Sequence, residues 1–474
     1  MGTVTGMATK WWTLLVVCLA IFMLLLDVTI VNVALPSIQK ELGSSFEDLQ
    51  WVVDAYALAL AAILLASGSL GDLLGRRSVF VIGLVIFATA SLACGLSGSP
   101  VMLNIARAVQ GAGGAMMFAN SLALLAQEFP VHERGTAFGI WGATTGFAVA
   151  VGPLVGGALT DAFGWQWIFL VNVPIGVATL ALTLMKLRDS ERDPTARIDF
   201  PGLVTFSAGL FCFVFALIRG NDDGWGSPKI VALLVVAVAL LAGFVVVERR
   251  REQPMLDLRL FRVPTFTGAQ IVAFSIHASM FSMFLYITLY MQNVLGYTPL
   301  ETGIRFLPVS LLSFFAAPIA GKLAERYPVR VFLTAGLALI GLGLVEMHGV
   351  NPSDDWTTLL PGFILAGVGI GFVNPPLATA AIGVVEPRRS GAASGINSTA
   401  RQVGTAVGIA GLGAILQSKL SHGLGAGSLG GPAAASAYID ALNDLFLVAA
   451  AVAFAGAACA AVLIRRRDFV TAAA

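Results

Sequence analysis

The chain has 474 residues, 57% of them apolar and only 12% charged, roughly half the charged fraction of a soluble globular domain. Too little polar surface remains to cover a water-soluble globule of this size, which points to a membrane protein. A formal net charge of +1 excludes the basic field that a nucleic-acid partner demands.

A spanning helix needs about 20 apolar residues, because 1.5 Å per residue must cross a hydrocarbon core near 30 Å. On that rule fourteen spans follow in chain order: 12–35, 50–70, 78–97, 101–126, 136–159, 165–186, 200–218, 230–248, 266–292, 303–322, 330–348, 358–384, 391–418 and 443–464. The first is too long for a cleavable signal peptide, and Leu35-Pro36 is not a small-residue cleavage site. The N-terminus, the loops joining even spans to odd ones, and the C-terminus together hold 21 Lys and Arg. The opposite loops hold only Lys40, Arg219, Lys229 and Lys419. This asymmetry places both termini in the cytoplasm.

Two stretches recur. Gly71-Asp-Leu-Leu-Gly-Arg76 after the second span shares its G-x-L-x-x-R frame with Gly321-Lys-Leu-Ala-Glu-Arg326 after the tenth. Gly111-x-Gly113 through Gly139-Ile140 returns as Gly367-x-Gly369 through Gly395-Ile396, 256 residues later. Transporters are often built from such repeats. The expected organisation is a six-helix bundle over 1–186, an inserted helix pair with its linkers over 187–265, and a second six-helix bundle with a short tail over 266–474.

Ionisable groups inside a bilayer are costly and mark function by default. Asp27 lies about 12 Å below the outer end of its span, Asp54 about 6 Å and Arg107 about 9 Å below theirs. An arginine favours the ionised carboxyl, whereas a dry site favours the neutral one. Asp27, Asp54 and Arg107 are therefore the candidates for proton coupling, with Asp27 the best placed and Asp54 alternatively a headgroup-zone residue. His277 near the midplane is suited to proton handling or to packing. Arg401 with Gln402, also near mid-depth, is suited either to an anionic or polar substrate group or to bracing its helix. Asn32 joins them as a candidate lining residue.

The four cysteines (Cys18, Cys94, Cys212, Cys459) stand singly in apolar runs and lack metal or redox spacing. Gly111-x-Gly113-Gly114 lacks the Gly-Lys-Ser/Thr ending of a phosphate loop. No cofactor or metal is expected, and an ion gradient or the substrate's own gradient must supply the energy. Only four histidines are present, and no His, Asp, Ser or Cys cluster gathers at one face. A lipid-modifying enzyme is correspondingly disfavoured.

Taken in order, these motifs resemble a known family. Gly68-Ser-Leu-Gly-Asp72-Leu-Leu-Gly75-Arg76-Arg77 looks like the loop 2–3 signature of the major facilitator superfamily. Arg107-Ala-Val-Gln110-Gly111 is similar to its R-x-x-Q-G element, and Gly152-Pro153-Leu-Val-Gly156-Gly157 to its antiporter motif. Leu26 to Pro36 and Pro254 to Phe261 resemble the fourteen-helix drug:proton antiporters. The resemblance implies an all-α major facilitator fold of two six-helix bundles plus two inserted helices. It implies proton-coupled export of a hydrophobic or amphiphilic small molecule by alternating access, from a bacterial cytoplasmic membrane, by a monomer embedded in the lipid bilayer. It makes Gly68, Asp72, Gly75, Arg76 and Arg77 a cytoplasmic latch between the halves. An importer or uniporter of a small metabolite is the alternative. One departure is the lack of any acid after Glu386 in the thirteenth span, where members that export dications tend to carry one. This favours a neutral or anionic substrate.

A reporter fused after Arg467, or inserted near Asp193, is expected to be cytoplasmic. Activity of an externally active reporter at either site would overturn the span count.

Overall fold

The computed structural model describes residues 4–130, 133–188, 199–251, 254, 256–324, 326–385, 390–424 and 432–469. All fourteen expected spans are helices. They are α1 (Val4–Leu42), α2 (Phe46–Leu74), α3 (Arg76–Gly95), α4 (Pro100–Glu128), α5 (Arg134–Phe163), α6 (Trp167–Lys186) and α7 (Phe200–Asp223). Then come α8 (Pro228–Arg250), α9 (Pro264–Val294), α10 (Pro299–Ala324), α11 (Val329–Glu346), α12 (Trp356–Ile382), α13 (Ser390–Leu424) and α14 (Pro432–Leu463). Among the described residues thirteen are long and apolar enough to cross a membrane, and the 29-residue α2 carries the span at 50–70. In hydrocarbon every backbone polar group must be satisfied internally, so helices are the form this composition can take.

The helix ends are written in the sequence. Ser45 with Asp48 makes a capping box at α2, and Thr298 with Glu301 makes one at α10. Prolines occupy the first turn of α4, α8 and α9, where a missing N–H costs nothing. The segment Gly68–Leu74, expected as loop, is instead the last two turns of α2. The turn into α3 is the single residue Gly75, whose φ of +93° strains any side chain-bearing residue. The short connection is possible because glycine alone reverses the chain there.

Glycines also let backbones touch. A Cβ on Gly113 would lie 2.7 Å from the carbonyl oxygen of Gly83, and one on Gly336 would lie 2.8 Å from that of Gly369. One on Gly111 would strike the Tyr56 carbonyl, and one on Gly367 would lie 2.7 Å from the Val309 carbonyl. The α3–α4 and α2–α4 approaches thus recur as α11–α12 and α10–α12, with the same residues of the sequence repeat at the contact.

The first six and last six helices meet near the end that carries residues 43–45. Gln292 Nε2 donates to the Val33 carbonyl at 2.7 Å, and Gln50 Nε2 to the Ile409 carbonyl at 3.1 Å. Gly157 packs on the backbone of Pro299 and Leu300, while Gly303 packs on that of Pro153. Toward the other end, Gly68, Gly139, Gly142 and Gly395 have open space beside them. The pair α7/α8 lies over the seam between α2 and α13. There Ala57, Leu58 and Ala61 bury with Leu210, Val214, Ala406 and Ala410. At its tip Arg219 pairs with Glu47 of α2 at 2.7 Å, and Asn221 donates to the Ala414 carbonyl of α13 at 2.5 Å.

A Cβ on Gly156 would lie 2.7 Å from the Ile30 carbonyl, so α1 and α5 must separate to admit one. Gly156→Val is expected to destabilise the protein by about 1–3 kcal/mol, read as a lower melting temperature in detergent. An unchanged melting temperature would show that this contact does not hold α1 to α5.

Candidate functional site

Asp27 sits within an otherwise apolar stretch of α1 and is fully buried. Arg107 of α4, 1% exposed, donates from Nη1 to Asp27 Oδ2 at 2.5 Å. Gln110, one turn along α4, donates from Nε2 to Oδ1 at 2.8 Å, and Asn172 of α6 donates from Nδ2 to the same oxygen at 2.9 Å. Ser91 of α3 accepts from both amides at 3.1 Å and donates to the Phe169 carbonyl at 2.9 Å. Arg107 is further held by the Val52 carbonyl at 3.1 Å and by the Tyr56 ring, whose centre is 4.2 Å from Cζ. Both charges are therefore answered, as burial in a low-dielectric interior requires.

Asp54 presents the opposite case. It is fully buried on α2, and neither carboxylate oxygen has a hydrogen-bond partner among the described residues. The side chain is therefore shielded from water in this conformation. One turn before it, Gln50 shares the Ile409 carbonyl with the Tyr286 hydroxyl, which donates at 2.5 Å. The unpaired carboxyl thus lies just below the contacts that close the seam between α2 and α13.

A second polar group gathers on α9, α12 and α13. Arg401 donates from Nη1 to Asn374 Oδ1 at 3.1 Å and from Nε to Asn397 Oδ1 at 3.3 Å. His277 Nδ1 lies 3.0 Å from Thr405 Oγ1, and its Nε2 is buried without a partner. His277 opens a π-helical turn, His277–Phe281, a departure from regular helix often found at functional sites. Gln402 and Asn32 are half-buried, and no hydrogen bond joins either to the other candidates among the described residues.

The remaining candidates divide. Gly152 and Gly156 lie against Thr29 and Ile30 of α1, whereas Pro153 and Gly157 face α10. Arg77 Nη2 donates to the Leu184 carbonyl at the end of α6 at 3.0 Å, a contact within the first six helices. Gly71 packs on Asn120, and the Asp72 side chain lies outside those described. Gln110 was visible as part of the R-x-x-Q-G element without a role. Nothing in the sequence pattern singles out Ser91 or Tyr56, whereas Asn172 is a lone amide in an apolar run and shares that signal with Asp27.

Residues 17–409 match the model of the Major Facilitator Superfamily. The chain belongs to this superfamily. It is 38% identical over 414 residues to the multidrug resistance protein Stp of Mycobacterium tuberculosis, covering 87% of this chain and 77% of that one. It is 36% identical over 416 residues to the tetracenomycin C resistance and export protein of Streptomyces glaucescens, covering 86% and 76%. In fold it is similar to a bacterial homologue of the human lysosomal transporter Spinster, solved inward-facing and occupied, with a TM-score of 0.67, 16% identity, and 98% and 99% of the chains covered. The protein is thus a multi-pass membrane transporter of a small molecule and not an enzyme.

Asp27→Asn would leave the Arg107 guanidinium buried without its counter-charge, at a cost of about 3–5 kcal/mol. Asp54→Asn removes no hydrogen bond and is expected to leave the melting temperature within a few degrees of wild type. Thermal unfolding of the two purified variants should rank them in that order, and the reverse ranking would contradict this assignment.

Proposed function

We propose that this transporter exports a hydrophobic or amphiphilic small molecule in exchange for protons, by alternating access, as a monomer in the cytoplasmic membrane. The observation that carries the reading is the contrast between two buried carboxyls a few residues apart in depth. An ionised carboxylate buried without donors is strongly disfavoured, whereas Asp27 receives three donors including a guanidinium. In our reading Asp54 holds the transported proton in this conformation and Asp27 holds the charge of Arg107.

Arg107 joins the two, since it also binds the Val52 carbonyl on α2, two residues before Asp54. Loss of the proton from Asp54 would leave a carboxylate without donors on α2, one turn from the Gln50 contact to α13. A ligand shifts an equilibrium between conformations only through a difference in its interactions with them. Here the proton is that ligand, and the seam between α2 and α13 is what it biases.

The conformation fits this scheme. If the termini are cytoplasmic, the contacts of Gln292, Gln50, Gly157 and Gly303 close the outer end. The resemblance to a transporter solved inward-facing supports that reading, and relatives named for resistance and export support the outward direction. The recurring glycine contacts support two equivalent six-helix units with α7/α8 inserted. In this scheme Gly68, Asp72, Gly75, Arg76 and Arg77 form the cytoplasmic latch between the halves.

The test is uptake into inverted vesicles with an imposed pH gradient, using compounds that the wild type concentrates. Asp54→Asn is expected to abolish concentrative uptake while substrate still equilibrates down its own gradient. Gradient-driven accumulation by this variant equal to wild type would place the proton site elsewhere.

A further inference from the structure

Arg401 lies about mid-depth on α13, where an arginine ordinarily finds a carboxylate. None is there. The helices that supply its partners and the nearby histidine, α9, α12 and α13, contain no Asp or Glu. Helix α2, which also packs on α13, carries Asp54, but among the described residues no ion pair joins Arg401 to that or any other carboxylate. Its partners are two amide oxygens, those of Asn374 and Asn397, which neutralise no charge. A guanidinium carries five N–H donors in a planar fork, and only two of them meet a described acceptor. Arg401 is half-buried rather than sealed.

The surroundings add donors and an aromatic wall. His277 Nδ1 lies 3.0 Å from Thr405 Oγ1, which is itself 3.2 Å from the Arg401 carbonyl oxygen one turn back along α13, and His277 keeps an unpartnered Nε2. The imidazole stacks on Phe281, with ring centres 4.3 Å apart and planes 7° apart. Phe281 continues to Phe284 at 5.8 Å. Fixed positive charge, spare guanidinium N–H donors and an aromatic corner, with Phe281 and Phe284 at 80° to each other, define one complementary ligand.

We propose that Arg401 and His277 form the recognition site for an oxyanion borne on an aromatic body, such as an aryl carboxylate or a phenolate. Arg401 pairs with the oxyanion, Phe281 with Phe284 takes the ring, and when the Thr405 hydroxyl donates to His277 Nδ1 the imidazole presents Nε2–H as a second donor. A planar guanidinium suits a carboxylate bidentately, and a cationic compound meets like charge at the same place. The proposal rests on the transporter reading but not on its proton coupling, because it concerns equilibrium binding in one conformation.

Three probes of one shape separate charge from shape: 2-naphthoate, 2-naphthamide and 2-naphthylmethylammonium. Binding to the purified full chain in detergent is measured calorimetrically at neutral pH, with no gradient present. The wild type is expected to bind naphthoate at least tenfold more tightly than the other two. Arg401→Gln should remove that preference and leave naphthamide binding within twofold. Arg401→Lys should keep the preference at several-fold lower affinity, and His277→Gln should weaken naphthoate alone. Equal binding of naphthoate and naphthamide by the wild type overturns the proposal, as does no naphthoate binding at all. Undiminished naphthoate preference in Arg401→Gln overturns it as well. Should Arg401→Gln fail to fold, the Arg401→Lys and His277→Gln pair decides: naphthoate affinity unchanged in both rejects the site. These results do not depend on the vesicle experiment, so a failure of proton coupling and a failure of anion recognition are read separately.

Discussion

A charge within the hydrocarbon must be answered by something within reach, and four residues of this protein meet that constraint in three ways. Arg107 and Asp27 answer each other, and the amides of Gln110 and Asn172 fill the remaining lone pairs. Asp54 is answered by nothing among the described residues. Arg401 is answered, among the described residues, only by neutral amides. The first arrangement fixes α1, α4 and α6 to one another and gives the first six helices a rigid centre. The other two are unfinished, and a transporter's business is to finish and undo such interactions in turn.

The second organising element is contact between backbones. Where Gly83 meets Gly113 and Gly336 meets Gly369, helices approach more closely than side chains would permit. In lipid no hydrophobic effect drives helices together, so close packing must do more of the work. The antiporter motif extends the same device to both sides of α5: Gly156 against α1, Gly157 against α10. One helix face thus serves internal cohesion while the neighbouring position serves the joint between the two groups of six.

Nearly all of the helical architecture was legible in the sequence, because fourteen apolar runs of spanning length leave few alternatives. The ends were less so. The Gly68–Leu74 segment reads as loop by its glycines and its aspartate, yet a helix continues through it since only Gly75 adopts a positive φ. Of the site, Asp27 and Arg107 stood out because charge is rare in such runs. Their depths could be compared by helix rise, and their contact follows. Asn172 and Ser91 carry no charge and lie 145 and 64 residues from Asp27 along the chain, so nothing in the pattern ties them to it. That Asp54 is unpaired and Arg401 lacks an acid depends on what neighbouring helices bring, which rise and spacing along one helix do not report.

The position of α7 and α8 has a geometric consequence for molecules dissolved in the lipid. A bundle built from two groups of helices has two flanks where they adjoin, here α2 beside α13 and α5 beside α10. The first is roofed by α7, which is stitched to both neighbours through Glu47 and Ala414. The second carries no comparable cover among the described residues. A compound travelling sideways from the bilayer toward the interior therefore meets a wall on one flank and a bare seam on the other, and the molecule is handed in its exposure to the membrane.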